Sequence, residues 1–162
     1  MKHVNVALFV PDEGCLHRCS FCNQKTISGF QKRPEPIDVI SACETALSGK
    51  TDASGGEIAF FGGSFTAIER GYMLSLLKTA KSYLDRGFFS GIRISTRPDC
   101  INEEILTLLK EYGVTSIELG CQSMDDEVLR LNERGHTAKD SENACRLIKS
   151  FSFELGVQMM TG

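Results

Sequence analysis

Three cysteines stand at Cys15, Cys19 and Cys22, a C-x3-C-x2-C spacing with Phe21 immediately before the last of them. Thiolates are soft ligands, and those that hold iron–sulfur clusters are commonly grouped a few residues apart in one loop. Their number is informative, because four irons held by three thiolates leave one iron open to a ligand that is not protein. A structural zinc site would want four closed ligands, usually as two paired sets, and no second C-x2-C pair occurs in the chain. His17 falls inside the same short loop, where a tetrahedral cage is hard to close. The seven cysteines are an odd number, and the other four are scattered. Without a segment that reads as a signal peptide, this argues against a disulfide framework. A ferredoxin-like carrier would add a fourth cysteine close by, often ahead of a proline.

Further residues suited to ligand work recur along the chain. Gly62-Gly63-Ser64 follows an apolar run. Glycines there let the backbone turn sharply and approach a ligand closely, leaving carbonyls that can accept from an ammonium group. Ser95-Thr96-Arg97-Pro98-Asp99 and Gly120-Cys121-Gln122-Ser123 each follow another apolar run. Glu118 sits within such a run, facing either an interior or solvent; a carboxylate inside is costly unless paired or used, so it is a candidate substrate or ligand contact. Cys43, Cys100, Cys121 and Cys145 read as small buried or half-buried thiols. Of these only Cys121, at a strand end, is placed to face a site. Lys25, Lys32 and Arg33 form a local basic stretch, which could touch phosphates but is more often a solvated loop.

The elements that would position these residues alternate. Val4–Val10 is short, apolar and β-branched, as a strand buried on both faces should be. Pro36 suits a first helical turn, with Ile37, Ile40, Cys43 and Leu47 at helical spacing behind it. Strand Glu57–Phe61 runs into Gly62. Met73, Leu76, Leu77, Ala80 and Leu84 mark a second helix stopped near Gly87. Strand Ile92–Thr96 precedes a helix capped by Asn102, with Ile105, Leu108, Leu109 and Tyr112 as its apolar face and Gly113 as terminator. Strand Thr115–Leu119, helical pieces Asp125–Asn132 and Thr137–Lys149 split at Gly135, and strand Phe153–Met160 complete the order. Such βα alternation with right-handed crossovers gives a parallel sheet with helices outside. Barrels of this kind place ligand chemistry at the C-terminal ends of the strands. The cysteine loop, Gly62–Ser64, Ser95–Asp99 and Gly120–Ser123 all fall there.

At 162 residues and 17.8 kDa the chain is one domain long. Its net charge of −3 provides no global basic field of the kind that marks tight nucleic-acid binders. No apolar run approaches the roughly 18 residues of a transmembrane helix, so no membrane partner is expected. Seven cysteines without a disulfide pattern point to a reducing cytoplasm.

The cysteine spacing with its preceding aromatic resembles the signature of the radical S-adenosylmethionine (SAM) enzymes. Within them the chain looks most like the branch containing the catalytic subunit of the elongator complex and its short bacterial relatives. The residues behind this are Phe60-Phe61-Gly62-Gly63-Ser64-Phe65-Thr66, Ser95–Asp99, Ile117–Ser123, Asp125-Asp126 and Arg134-Gly135-His136. A wider kinship to oxygen-independent coproporphyrinogen oxidases shows in the Gly-x-Gln segment. The resemblance implies a partial (β/α)6 barrel with about five of its strands present, a [4Fe–4S] cluster on Cys15, Cys19 and Cys22, and SAM on the free iron. It implies SAM contacts from Gly62, Gly63 and Ser64 toward the methionine amino group, from Gln122 toward the ribose, from Arg134 toward the carboxylate, and from Phe21 beside the adenine. Ser95 and Thr96 are second-rank SAM contacts, since relatives have a glutamate where Ser95 stands; Ser64 likewise replaces a residue that is often glutamate.

The activity implied is reductive cleavage of SAM to a 5′-deoxyadenosyl radical, fed by a flavodoxin- or ferredoxin-type donor. The branch points toward tRNA wobble-uridine modification, with tRNA as substrate, although neither an acetyltransferase segment nor a lysine-rich N-terminal extension lies within these residues. The rival reading is an iron–sulfur electron-transfer or redox-sensing module that never cleaves SAM, and a second is a zinc-stabilised scaffold. Since six βα units are usual in these barrels, the end at Met160-Thr161-Gly162 predicts that residues 1–162 are the N-terminal part of one core domain. The final strand is then expected to have an unpaired edge that invites association.

Overall fold

The computed structural model describes residues 5–11, 19–20, 22, 32–49 and 55–160. Five strands form one sheet in chain order, β1 (Val6–Val10), β2 (Glu57–Gly62), β3 (Gly91–Thr96), β4 (Val114–Gln122) and β5 (Glu154–Met159). Every neighbouring pair is parallel. Between them lie α1 (Pro36–Ser48), α2 (Arg70–Asp85), α3 (Glu103–Glu111), α4 (Asp126–Leu131) and α5 (Ala138–Ser150). This is the expected α/β architecture, five strands of a partial (β/α)6 barrel, with β1 and β5 as the edges of the described sheet.

Successive strand residues point to opposite faces, and the two faces differ in kind. Ile58, Phe60, Ile92, Ile94, Ile117 and Leu119 are fully buried in one core cluster with Leu76 and Leu77 of α2 and Leu106 and Leu109 of α3. Alternate positions carry charge instead. Arg93 donates to Glu57 Oε2 at 2.7 Å and to Glu118 Oε1 at 2.5 Å, with Glu154 at 3.6 Å. Glu118 is therefore held in an ion pair with a neighbouring strand. Gly156, its register partner, provides the room, because a Cβ there would lie 2.1 Å from Glu118 Oε2.

The helix ends follow local chemistry. Asn102 accepts from Ile105 N at 2.8 Å, Asp125 caps α4, and Thr137 with Asp140 forms a capping box on α5. Gly87 and Gly113 close α2 and α3 at φ 76° and 82°. Two expectations need correction. Helix α1 buries Val39 and Cys43, while Ile37 and Ile40 are 65% and 38% exposed. Val39, Cys43 and the partly buried Ala42 and Ala46 line the face that meets the core, so an apolar i, i+3 pair at the helix start misplaced the stripe. Strand β4 runs on through Gly120, Cys121 and Gln122, expected as loop, because β5 continues to pair there: Gly120 faces Gln158 and Gln122 faces Met159.

Candidate functional site

Parallel strands end at one rim, and Val10, Gly62, Thr96 and Gln122 stand there together. Gly63 N donates to Val10 O at 2.8 Å, tying the β2 turn to the end of β1. Gly62 has φ 118°, and a Cβ on it would lie 2.5 Å from the same Val10 carbonyl. Only glycine makes this turn without displacing backbone.

Behind the turn runs a chain of hydroxyls. Ser64 Oγ lies 2.9 Å from Thr96 Oγ1, which lies 2.6 Å from Thr66 Oγ1, and Thr66 donates to Cys100 O at 2.7 Å. A carbonyl only accepts, so Thr66 has given its one proton and must accept from Thr96, which in turn accepts from Ser64. The order Ser64→Thr96→Thr66→Cys100 joins the loops after β2 and β3. Ser64 and Thr96 are buried, and their hydroxyls hold the two loops in register.

The loop between α4 and α5 delivers the cationic side chain. Glu133 and Gly135 both take positive φ, at 52° and 72°, on either side of Arg134. Arg134 N donates to Leu129 O at 3.0 Å. The guanidinium is thereby turned inward, with Nη1 3.1 Å from Cys19 Sγ and Nη2 2.5 Å from Gly120 O. At Gly120 the space a Cβ would fill is bordered by Gln122 Nε2 at 3.3 Å, Arg134 Nη2 at 3.5 Å and Thr96 O at 3.5 Å. Gln122 itself sits at φ 67° as the strand ends. Gln122, Arg134 and Thr96, far apart in sequence, thus meet around one glycine.

The cysteine segment docks onto the same place. Ser20 N and Oγ donate to Asn132 O and Oδ1 at 3.3 and 2.8 Å, and Cys22 N donates to Cys19 O at 3.0 Å. Cys19 is buried and Cys22 exposed. Cys15, His17, Phe21 and Lys25 lie outside the described residues.

Around this contact is a second polar layer that the spacing alone did not single out. Arg97, 4% exposed, donates from Nε and Nη2 to the two Asp99 oxygens at 2.9 and 3.0 Å, and from Nη2 to the backbone carbonyl of Arg134. His136 Nε2 faces Cys121 O at 3.2 Å, which makes it the protonated nitrogen. Burial, followed by the charges of Arg134 and Arg97, holds His136 below the usual histidine range. The clue in sequence was the position of Arg97, Asp99 and His136 directly beyond strand or helix ends, inside the segments that carry the resemblance.

Other candidates are resolved differently. Cys121 does not face the rim: it belongs to the apolar core, beside Cys145 of α5, whose thiol burial and the nearby Cys121 push up to about 11. Strand alternation explains this, since Gly120 and Gln122 take the other face. Arg33 pairs with Glu35 at 3.5 Å and lies 4.6 Å over the Tyr72 ring, which accounts for it as part of a packed connection. Ser95 is buried at the end of β3. Arg93 and Glu118 serve the ion network on the sheet and are not part of the rim.

The donor set fits a cluster. Two thiols from one loop are described, and the buried one receives an N–H from the Arg134 guanidinium. Gly120, whose carbonyl accepts from the same guanidinium, lies beside that contact. None of the helices among the described residues is long and apolar enough to cross a membrane.

The model of the Radical SAM superfamily matches residues 9–162. A tRNA uridine(34) acetyltransferase of Methanocaldococcus infernus is 36% identical over 69 residues, 43% of this chain and 13% of that protein. The Elongator complex protein 3 of Mus musculus is 33% identical over 121 residues, 64% of this chain and 22% of that protein. The solved structure of the archaeal Methanocaldococcus infernus Elp3 with an N-terminal deletion covers 100% of this chain and 39% of its own, with TM-score 0.71 and 22% identity. The solved structure of native anSMEcpe with bound AdoMet and Cp18Cys peptide covers 94% of this chain and 42% of its own at TM-score 0.65 and 18% identity. At those identities the two structures show a shared fold. The matched stretches are 13% and 22% of the length of these two curated relatives.

Proposed function

This chain belongs to the Radical SAM superfamily, and from that premise we propose that it is the cluster- and SAM-binding core of an enzyme that modifies uridine in tRNA. The observation that carries the proposal is the contact of buried Cys19 with Arg134, whose guanidinium borders Gly120 at the C-terminal rim together with Gln122 and Thr96. When bound on Cys15, Cys19 and Cys22, a [4Fe–4S] cluster supplies the electron that cleaves SAM into methionine and a 5′-deoxyadenosyl radical.

The chain's own residues bind and orient. Gly62 and Gly63 are assigned to the methionine amino group, while Ser64, Thr96 and Thr66 hold that turn against β3. Gln122 is assigned to the ribose and Phe21 to the adenine. Arg134 is assigned to the carboxylate, whose two oxygens suit the fork of a guanidinium. Arg97, Arg134 and His136 are buried, and Arg97 and Arg134 keep water from the Cys19 contact.

The tRNA assignment is supported by the names of the matched relatives, the tRNA uridine(34) acetyltransferase and Elongator complex protein 3. Residues 1–162 are assigned to one radical SAM core domain. A flavodoxin- or ferredoxin-type donor in a reducing cytoplasm suits a cluster of this kind. Anaerobic reconstitution tests the assignment: the chain should take up about four irons, with an electron paramagnetic resonance (EPR) signal that shifts when SAM is added. Replacing Cys15, Cys19 and Cys22 together by Ala should abolish iron uptake, and Cys145→Ala should not. A triple variant that keeps a full cluster, or a zinc-only protein, refutes it.

A further inference from the structure

We propose that Arg134 tunes the electron affinity of the cluster by donating a charged hydrogen bond to the sulfur of Cys19; this rests on the cluster assignment above. The contact is specific. Arg134 Nη1 lies 3.1 Å from Cys19 Sγ, with both residues buried. It is also over-determined. Positive φ at Glu133 and Gly135 aims the side chain, Gly120 O fixes the second terminal nitrogen, and Arg97 grips the Arg134 backbone carbonyl while Asp99 grips Arg97. Four separate elements, the ends of β3 and β4, the α4–α5 loop and the cysteine loop, converge to hold one N–H against one sulfur.

The physical consequence has a definite sign. Reduction adds one electron, and its charge is spread over the irons and their sulfurs. A guanidinium at the thiolate stabilises the more negative, reduced form more than the oxidised form. Hydrogen bonds to the sulfurs and local charge are established levers on cluster potential. Arg134 thereby makes the cluster easier to reduce by a cellular donor.

The test is a redox titration of the reconstituted chain without SAM, which separates this role from any contact with the SAM carboxylate. The reduced cluster is followed by EPR. Arg134→Gln is expected to lower the reduced-to-oxidised ratio at a given potential about tenfold, which is ~59 mV for a one-electron couple. Arg134→Lys, which keeps the charge and loses the fork, should fall between. A full-iron Arg134→Gln cluster whose ratio changes less than about twofold overturns the proposal. Should the variants fail to hold iron, the unaltered side chain is read directly. Protein labelled with 15N in its arginine guanidino groups, in an Arg18→Lys background that removes the arginine of the cysteine loop, should show 15N hyperfine coupling to the reduced cluster. Absence of that coupling also overturns it. If the unmutated chain takes up no iron, the cluster assignment itself fails, a result distinct from an iron-loaded protein without the coupling or the shift.

Discussion

Gly62→Ala is the sharpest structural perturbation of the rim. A Cβ at this position would stand 2.5 Å from Val10 O and 3.1 Å from two ring carbons of Phe9. The ring can shift, but the carbonyl cannot retreat freely because it accepts Gly63 N–H at 2.8 Å. The φ of 118° adds a second cost. Holding a non-glycine residue in a sparsely populated region costs about 1–3 kcal/mol, and loss of the strained hydrogen bond adds about 1 kcal/mol. The stiffer unfolded chain returns roughly 0.4–1 kcal/mol, which leaves a net loss of roughly 1–3.5 kcal/mol by these terms. Urea unfolding under reducing, anaerobic conditions should show a lower midpoint with an unchanged m-value. Gly87→Ala is the internal comparison, since Gly87 has φ 76° and no neighbour within 4 Å of its Cβ position. It should lose only the left-handed penalty of about 1–2 kcal/mol. If Gly62→Ala is no more destabilising than Gly87→Ala, the close approach of the β2 turn to β1 is not what requires the glycine.

Asp99→Asn leaves the Arg97 guanidinium, 5% exposed, without its counter-charge. A fully buried pair broken this way costs about 3–5 kcal/mol, and the partial exposure of Asp99 reduces this to roughly 2–3 kcal/mol, measurable as a drop in denaturation midpoint. His136 sets a pH dependence with a worked sign. Its folded pKa is depressed by burial and nearby arginines, so below the unfolded value of about 6.5 the unfolded chain binds the extra proton and stability falls with pH. His136→Gln should flatten the stability profile between about pH 6.5 and 5, compared by urea midpoints at each pH.

Much of this fold was legible because parallel strands and their helices punctuate the chain clearly. Pro36, Asn102, Asp125 and Thr137 each mark a helix start, and Gly87 and Gly113 mark ends, through chemistry that acts within one turn. The rim also followed, since strand ends fix which loops meet. What spacing could not supply was direction. Cys121 lies between two rim residues yet points to the core, because alternation along β4 decides its face. Ile37 and Ile40 fit a helical period but not the face that packs. Arg97 and His136 looked like ordinary loop residues, and their place beneath Cys19 depends on two left-handed residues around Arg134 and on contacts between segments more than thirty residues apart. Glu118 illustrates the same limit: the carboxylate was visible, but its partner Arg93 lies on a different strand.

The central claim is tested most directly by product analysis. The reconstituted chain, reduced with dithionite and supplied with SAM, should form 5′-deoxyadenosine and methionine in equal amounts, and the variant lacking Cys15, Cys19 and Cys22 should form neither. A chain that carries a complete, reducible [4Fe–4S] cluster and binds SAM yet yields no 5′-deoxyadenosine under these conditions would contradict the account and favour an electron-transfer or sensing role.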